Sequence, residues 1–175
     1  MTPPSLLTVG HGTADQDTFT QLLGRCGVRR LVDVRSFPGS RRNPHMSRES
    51  LQGWLPAAGV DYLWERRLGG RRRLRTDSPD VWWQVAAFRA YAAHMRTKEF
   101  QSGFAWLAEQ TASAPTAVMC SESLWWRCHR RMISDYAVAV AGWTVQHLGH
   151  DGSLTAHPVA AGARVEDGQL FYDRV

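Results

Sequence analysis

Five short apolar runs, residues 6–9, 31–35, 60–64, 116–119 and 144–148, recur along this chain, and the segments between them carry apolar residues at helical spacing. That alternation constrains the fold more than any other feature. Antiparallel strands can be joined by a tight turn, whereas parallel neighbours need a crossover of about a dozen residues or more, most often a helix. The expected architecture is therefore α/β, a three-layer sandwich with a mainly parallel central sheet of about five strands flanked by helices. In this reading residues 1–175 form one domain, with enough chain to bury a continuous core.

The first run ends in Gly10-His11-Gly12-Thr13, a turn signal with polar chemistry. Phe19, Leu22 and Leu23 then mark a helix with Asp15 and Asp17 near its start and Gly27 at its end. Leu51, Trp54 and Leu55 begin a short helix closed by Pro56 and Gly59. Gly69, Gly70 and the arginines after them read as a mobile loop. A helix is expected over 82–95, with Val85, Phe88, Ala92 and Met95 on one face, and another starting at Phe104, Trp106 and Leu107. Ile133, Tyr136, Ala137 and Val140 stripe a further helix that holds Arg127, Arg130 and Arg131 in its first turns and stops at Gly142. Residues 170–172 read as an edge strand or a packed tail.

No segment is apolar for the length a bilayer needs, and the start lacks a signal-like pattern, so a cytoplasmic protein without a membrane partner is expected. The three cysteines, Cys26, Cys120 and Cys128, show no secreted-scaffold spacing, which fits a reducing compartment. The formal charge is +5, and among 21 basic residues Lys98 is the single lysine. Arginines gather at 35–48, 66–75 and 127–131. Guanidinium groups recognise phosphate or carboxylate in a planar, bidentate way, so clustering near a cleft points to an anionic partner, against a plain solvated basic surface.

The densest chemistry follows the fourth run: Cys120-Ser121-Glu122, then Arg127-Cys128-His129-Arg130-Arg131. Loops at the carboxyl ends of strands bind ligands in open α/β sheets. Cys120 reads either as a thiolate nucleophile near arginines or as a small buried hydrophobe. Glu122 is a candidate general base or a carboxylate tied to loop amides, and His129 a general acid or a core histidine. Arg127 and Arg130 can share a helix face and bind phosphate at a helix start. His11 and Arg35 fall on the same sheet edge, Asp33 supports an arginine or backbone amides, and Arg41 and Arg42 sit in a loop able to close over an anion. Cys120, Cys128, His11, His45 and His129 are metal-ligand types, but none shows metal-site spacing, so neither metal nor cofactor is expected.

Val9-Gly10-His11, the stretch from Leu31 to Ser40, Leu68-Gly69-Gly70, Cys120-Ser121-Glu122 and Cys128-His129-Arg130, in this order over roughly 6–147, resemble the DUF488 family. The resemblance implies a compact α/β fold and names no reaction. It carries over His11, Asp33, Arg35, Cys120, Glu122, Cys128, His129 and Arg130 as candidates.

The principal functional expectation is an enzyme-like domain that holds a nucleotide or single-stranded nucleic acid through Arg35, Arg127 and Arg130. Glu122 and His11 would supply acid/base chemistry, hydrolysis included, and some of the eight tryptophans would stack on bases. Two alternatives stand beside it. Thiol transfer or redox chemistry would use Cys120 with Cys128 resolving, although the glycine-containing anion cradle of a rhodanese-like loop is lacking. A basic module that binds without turnover is the other. The sequence does not decide the oligomeric state.

Overall fold

The computed structural model describes residues 2–174. Strands β1 (Ser5–Gly10), β2 (Arg30–Asp33), β3 (Asp61–Trp64), β4 (Thr116–Cys120), β5 (Thr144–Leu148) and β6 (Leu154–Ala156) form one sheet in the order β3-β2-β4-β1-β5-β6. The first five run parallel and β6 pairs antiparallel with β5 at the edge. Helices α1 (Gln16–Arg25), α2 (Arg48–Trp54), α3 (Ala86–Met95), α4 (Lys98–Ser113) and α5 (Arg130–Ala139) complete the three-layer α/β sandwich.

Strand side chains alternate between faces, and here both faces are covered. In β4, Ala117 and Met119 join Phe19, Leu22 and Leu23 of α1 and Leu51 of α2 in one core. Val118 and Cys120 join Tyr91 and Met95 of α3, Phe100 and Phe104 of α4, and Met132 and Ile133 of α5 in the other. Burying side chains on both faces explains why the strand runs are almost continuously apolar. It also makes any polar residue inside them a costly exception, which must find a partner.

The strand order fixes where a ligand can enter. From β1 the chain turns through α1 towards β2, on the Phe19 core; from its neighbour β4 it turns through α5 towards β5, on the opposite core. The loops leaving β1 and β4 thus part to opposite faces and open a crevice at their carboxyl ends. Below it the loops are still joined, because the His11 amide donates to the Cys120 carbonyl at 3.0 Å and the Gly12 amide to Ser121 at 2.9 Å.

Several elements differ from the sequence expectations. The helix expected over 82–95 starts at Ala86, since Trp82 and Trp83 are held in a turn, the Trp82 amide donating to Tyr172 and the Trp83 ring packing on Tyr172. The next helix starts well before Phe104, where Thr97 caps the Phe100 amide. Arg127 lies outside α5, in a separate 3₁₀ turn over Trp125–Arg127, so it shares no helix face with Arg130. Residues 170–172 join neither sheet edge: β7 (Arg164–Glu166) and β8 (Gln169–Phe171) form their own hairpin, with Tyr172 buried beyond it. The loop after Gly70 is pinned by Arg72, which donates to the carbonyls of Gly69, Arg66 and Arg67 and pairs with Glu99.

Gly10 is the closest contact between the two diverging loops. A Cβ built there would lie 1.8 Å from the Glu122 carbonyl oxygen and 2.8 Å from the Ser123 Cα, so any side chain must push backbone from backbone. Gly10→Ala is expected to destabilise the protein by about 3 kcal/mol, as overpacking does in a rigid core. A urea midpoint within error of wild type would show that the loops separate freely.

Candidate active site

A cleft of about 400 Å³ opens at the parted loops and is lined by His11, Arg35, Cys120, Glu122, Arg127, Cys128 and His129 among others. The structure thus brings together most of the residues singled out from the sequence. The exceptions are informative. Asp33 is wholly buried behind the cleft, Arg130 lies beneath it, and Arg41 and Arg42 line a neighbouring lobe.

The floor is a sulfur pair. Cys120 ends β4 and Cys128 precedes α5, and their Sγ atoms are 2.7 Å apart with both thiols free. Arg130, in the first turn of α5, is 1 % exposed and points inward rather than towards a ligand. Its Nε–H donates to Cys120 Sγ at 2.9 Å, Nη1 to Thr8 Oγ1 at 3.0 Å, and Nη2 to the Glu122 and Ser123 carbonyls at 2.7 and 3.3 Å. Among the described residues no carboxylate touches this guanidinium. The Arg130 backbone amide faces Cys128 Sγ at 3.4 Å, adding the positive end of α5.

These surroundings divide the two thiols. Burial drives the Cys120 thiol well above its ordinary pKa. Burial also acts to raise Cys128, but its hydrogen bond with Cys120 and the charge and amide of Arg130 outweigh it and bring Cys128 down. The anion is therefore best held on Cys128. His129 stands beside it, with Nδ1 3.4 Å from Cys128 Sγ and Nε2 2.7 Å from the Val34 carbonyl. A proton on Nε2 serves Val34 and leaves Nδ1 as an acceptor aimed at the thiol. Burial lowers the His129 pKa, so the resting ring is neutral. Gly70 packs on this imidazole so closely that a Cβ would lie 2.5 Å from Nδ1.

On the other side, Arg35 is already spoken for. Its Nε and Nη2 grip both oxygens of Asp33 at 2.9 and 2.7 Å, Nη2 also reaches the Met46 carbonyl, and Nη1 lies 3.3 Å from His11 Nε2. Tyr62 donates to the same Asp33 carboxylate. His11 Nδ1–H donates to the Gly12 carbonyl at 2.9 Å, so both ring nitrogens are engaged. Burial, with Arg35 nearby, pushes His11 down to about 4 despite its Gly12 bond. Glu122 Oε1 accepts the Leu124 amide at 3.1 Å and shapes the loop, while Arg127 is exposed at the rim.

The sequence reading did not single out Thr8, His147, His157 or Asp135, which extend the site inward. Arg130 donates to Thr8; Thr8 Oγ1 is 2.5 Å from His147 Nδ1; His147 Nε2 is 2.8 Å from His157 Nδ1; His157 Nε2 is 2.7 Å from Asp135. One donor direction satisfies the whole series with both rings neutral, and burial pushes His147 down to about 3. The signal was present as polar residues inside apolar strands, Thr8 in β1 paired with His147 in β5.

Because the folded protein refuses protons at His11 and His147 that the unfolded chain accepts near pH 6.5, stability is complete above that pH and falls as pH drops towards 4. The expected loss is roughly 3 kcal/mol for each ring by pH 4, where the His11 window ends and that of His147 continues. Urea unfolding at stepped pH checks this, and His11→Gln should flatten the slope. A wild-type stability constant from pH 7 to 4 would overturn it.

No curated protein and no solved structure matches the chain. The family described as a domain of unknown function, DUF488, matches residues 15–137 of the 175, a span that holds Asp33, Arg35, Cys120, Glu122, Cys128, His129 and Arg130 and leaves out His11. The chain belongs to the DUF488 family.

Proposed function

We propose that this domain is a dithiol enzyme of thiol–disulfide exchange, with Cys128 as nucleophile, Cys120 as resolving thiol, His129 as proton acceptor and Arg130 as the group that stabilises the anion. The observation that carries the reading is the sulfur pair set against a buried arginine without a carboxylate. An unpaired buried charge is expensive, and a thiolate is the one anion the immediate surroundings can supply. A nucleophile beside a base that a third group orients is the usual arrangement for covalent catalysis, here Cys128, His129 and the Val34 carbonyl.

The steps balance without further groups. His129 takes the Cys128 proton, and the thiolate attacks one sulfur of a disulfide R–S–S–R′. A Cys128–S–R bond forms, the substrate S–S bond breaks, and R′S⁻ leaves with the electron pair and receives the proton. Cys120 then attacks Cys128 Sγ, its proton passing to the departing RS⁻. Two electrons have moved from the protein to the substrate, leaving a Cys120–Cys128 disulfide, and an external thiol returns the electrons and protons.

The hydrolytic reading draws less support. His11 has both ring nitrogens occupied, and Glu122 is tied to the loop through Oε1, which accepts the Leu124 amide, so no second acid/base group stands free beside Glu122. The inward turn of Arg130 and the pairing of Arg35 with Asp33 leave the rim arginines as the groups available to an anion.

In a Cys26→Ser background, dipyridyl disulfide should release two equivalents of thione per chain. Cys120→Ser should stop at one, leaving a stable adduct on Cys128 visible by mass spectrometry. Cys128→Ser should slow the reaction at least about tenfold, as expected when a thiolate-rich nucleophile is removed. Equal release from wild type and Cys120→Ser, or full speed in Cys128→Ser, would sink the assignment.

A further inference from the structure

The cleft above the thiols does not end at its own walls. A second lobe of about 600 Å³ shares His11, Gly39, Ser40, Ser121 and Glu122 with it and continues past Arg41, Arg42 and His150. Together they form one groove with Cys128 at one end and two exposed arginines at the other. Arg71 and Arg127 stand on the wall of the thiol lobe. Among the described residues none of these four arginines has an acidic partner, unlike Arg35, Arg67, Arg72, Arg96 and Arg164, which are all paired. Among the described residues Glu122 is the one carboxylate lining either lobe, and its Oε1 is tied to the Leu124 amide, against four arginines.

Such a groove is neither the surface of a small-oxidant site nor a plain solvated face. A peroxide needs only the thiol and a few donors, whereas these lobes have the volume of a drug-sized ligand. The positive charge is also displaced from the sulfur, so it would meet a part of the substrate that does not react. Binding energy from such a remote part is what positions a reacting centre. Phe37, 63 % exposed beside Arg71, gives the thiol lobe an apolar surface for the carbon skeleton.

We infer that the substrate of the thiol site is a low-molecular-weight anionic disulfide, seated with its sulfur at Cys128 and its negative groups on Arg41 and Arg42. This rests on the dithiol reading and goes beyond it by naming the substrate class. Carboxylate-bearing and phosphate-bearing thiols share the chemistry these guanidinium groups recognise.

The test compares aliphatic disulfides of similar intrinsic reactivity on Cys26→Ser protein: glutathione disulfide with carboxylates, coenzyme A disulfide with phosphates, and neutral hydroxyethyl disulfide. Oxidation of the Cys120/Cys128 pair is followed by quenched mass spectrometry. At low salt at least one anionic disulfide should react about tenfold faster than the neutral one, in line with electrostatic focusing into a cleft, and added salt should erode that ratio. Which anionic disulfide is preferred identifies the acid group. Arg41→Ala/Arg42→Ala should collapse the ratio, whereas Arg25→Ala/Arg29→Ala, which removes equal charge from outside the groove, should keep it. If the neutral disulfide oxidises the pair and the ratio is near one, or survives in Arg41→Ala/Arg42→Ala, the substrate inference falls and the dithiol reading stands. If no disulfide oxidises the pair, both fall.

Discussion

The contact on which the rest of the site depends is the Arg130 guanidinium against Cys120. Four of its five N–H directions are engaged, and they tie α5 to β1 through Thr8, to the end of β4 through Cys120, and to the following loop through the Glu122 and Ser123 carbonyls. Three elements that diverge at the crevice are thus held by one side chain. Burying a guanidinium costs several kcal/mol unless charge and hydrogen bonds offset it. Two sources of negative charge are within reach: the sulfur pair in direct contact, and Asp135 at the far end of the Thr8–His147–His157 series. Asp135 lies beyond Thr8 and two imidazoles, so the direct sulfur contact carries the larger share.

Comparing the two buried arginines of the crevice decides what each is for. Arg35 has a bidentate carboxylate, a tyrosine hydroxyl on that carboxylate, and a backbone carbonyl. It fixes the loop after β2 and needs nothing further. Arg130 is buried more deeply and, among the described residues, has no such carboxylate, and one of its acceptors is a sulfur whose charge can change. The same residue type at two places in the crevice therefore stands in opposite settings: Arg35 closes an ion pair, and Arg130 leaves an electrostatic demand that, in the proposed exchange, a thiolate answers.

Much of the fold was legible in the sequence, because parallel strands buried on both faces leave continuous apolar runs and the helices between them carry stripes. The 144–148 run matches β5 residue for residue, and Gly27, Gly59 and Gly142 lie at positive φ where chain breaks were expected. The edge strand β6 was not legible: its residues are exposed, and its place comes from pairing with β5. At the site, the spacing of Cys120, Cys128, His129 and Arg130 marked the right segment. Their directions were hidden because the turn at Trp125–Arg127 breaks the helical phase that would relate Arg127 to Arg130. Whether an arginine faces water or a thiol is set by that break, and no periodicity reports it.

In the proposed exchange the order of events at the sulfurs follows from their surroundings. Both thiols line the cleft and both are buried, Cys120 being 2 % and Cys128 7 % exposed. Burial drives the Cys120 thiol up, so it is the poorer anion while Cys128 is free. Cys128 stands next to His129 and the start of α5, so an entering sulfur meets the thiolate there first. Capping Cys128 would remove the anion and leave the buried guanidinium hydrogen-bonded but without a counter-charge. Ionising Cys120 restores one at 2.9 Å. In the proposed exchange the arginine that first favours the attacking thiolate at Cys128 then favours the resolving one at Cys120, so a single buried charge would serve both halves in sequence.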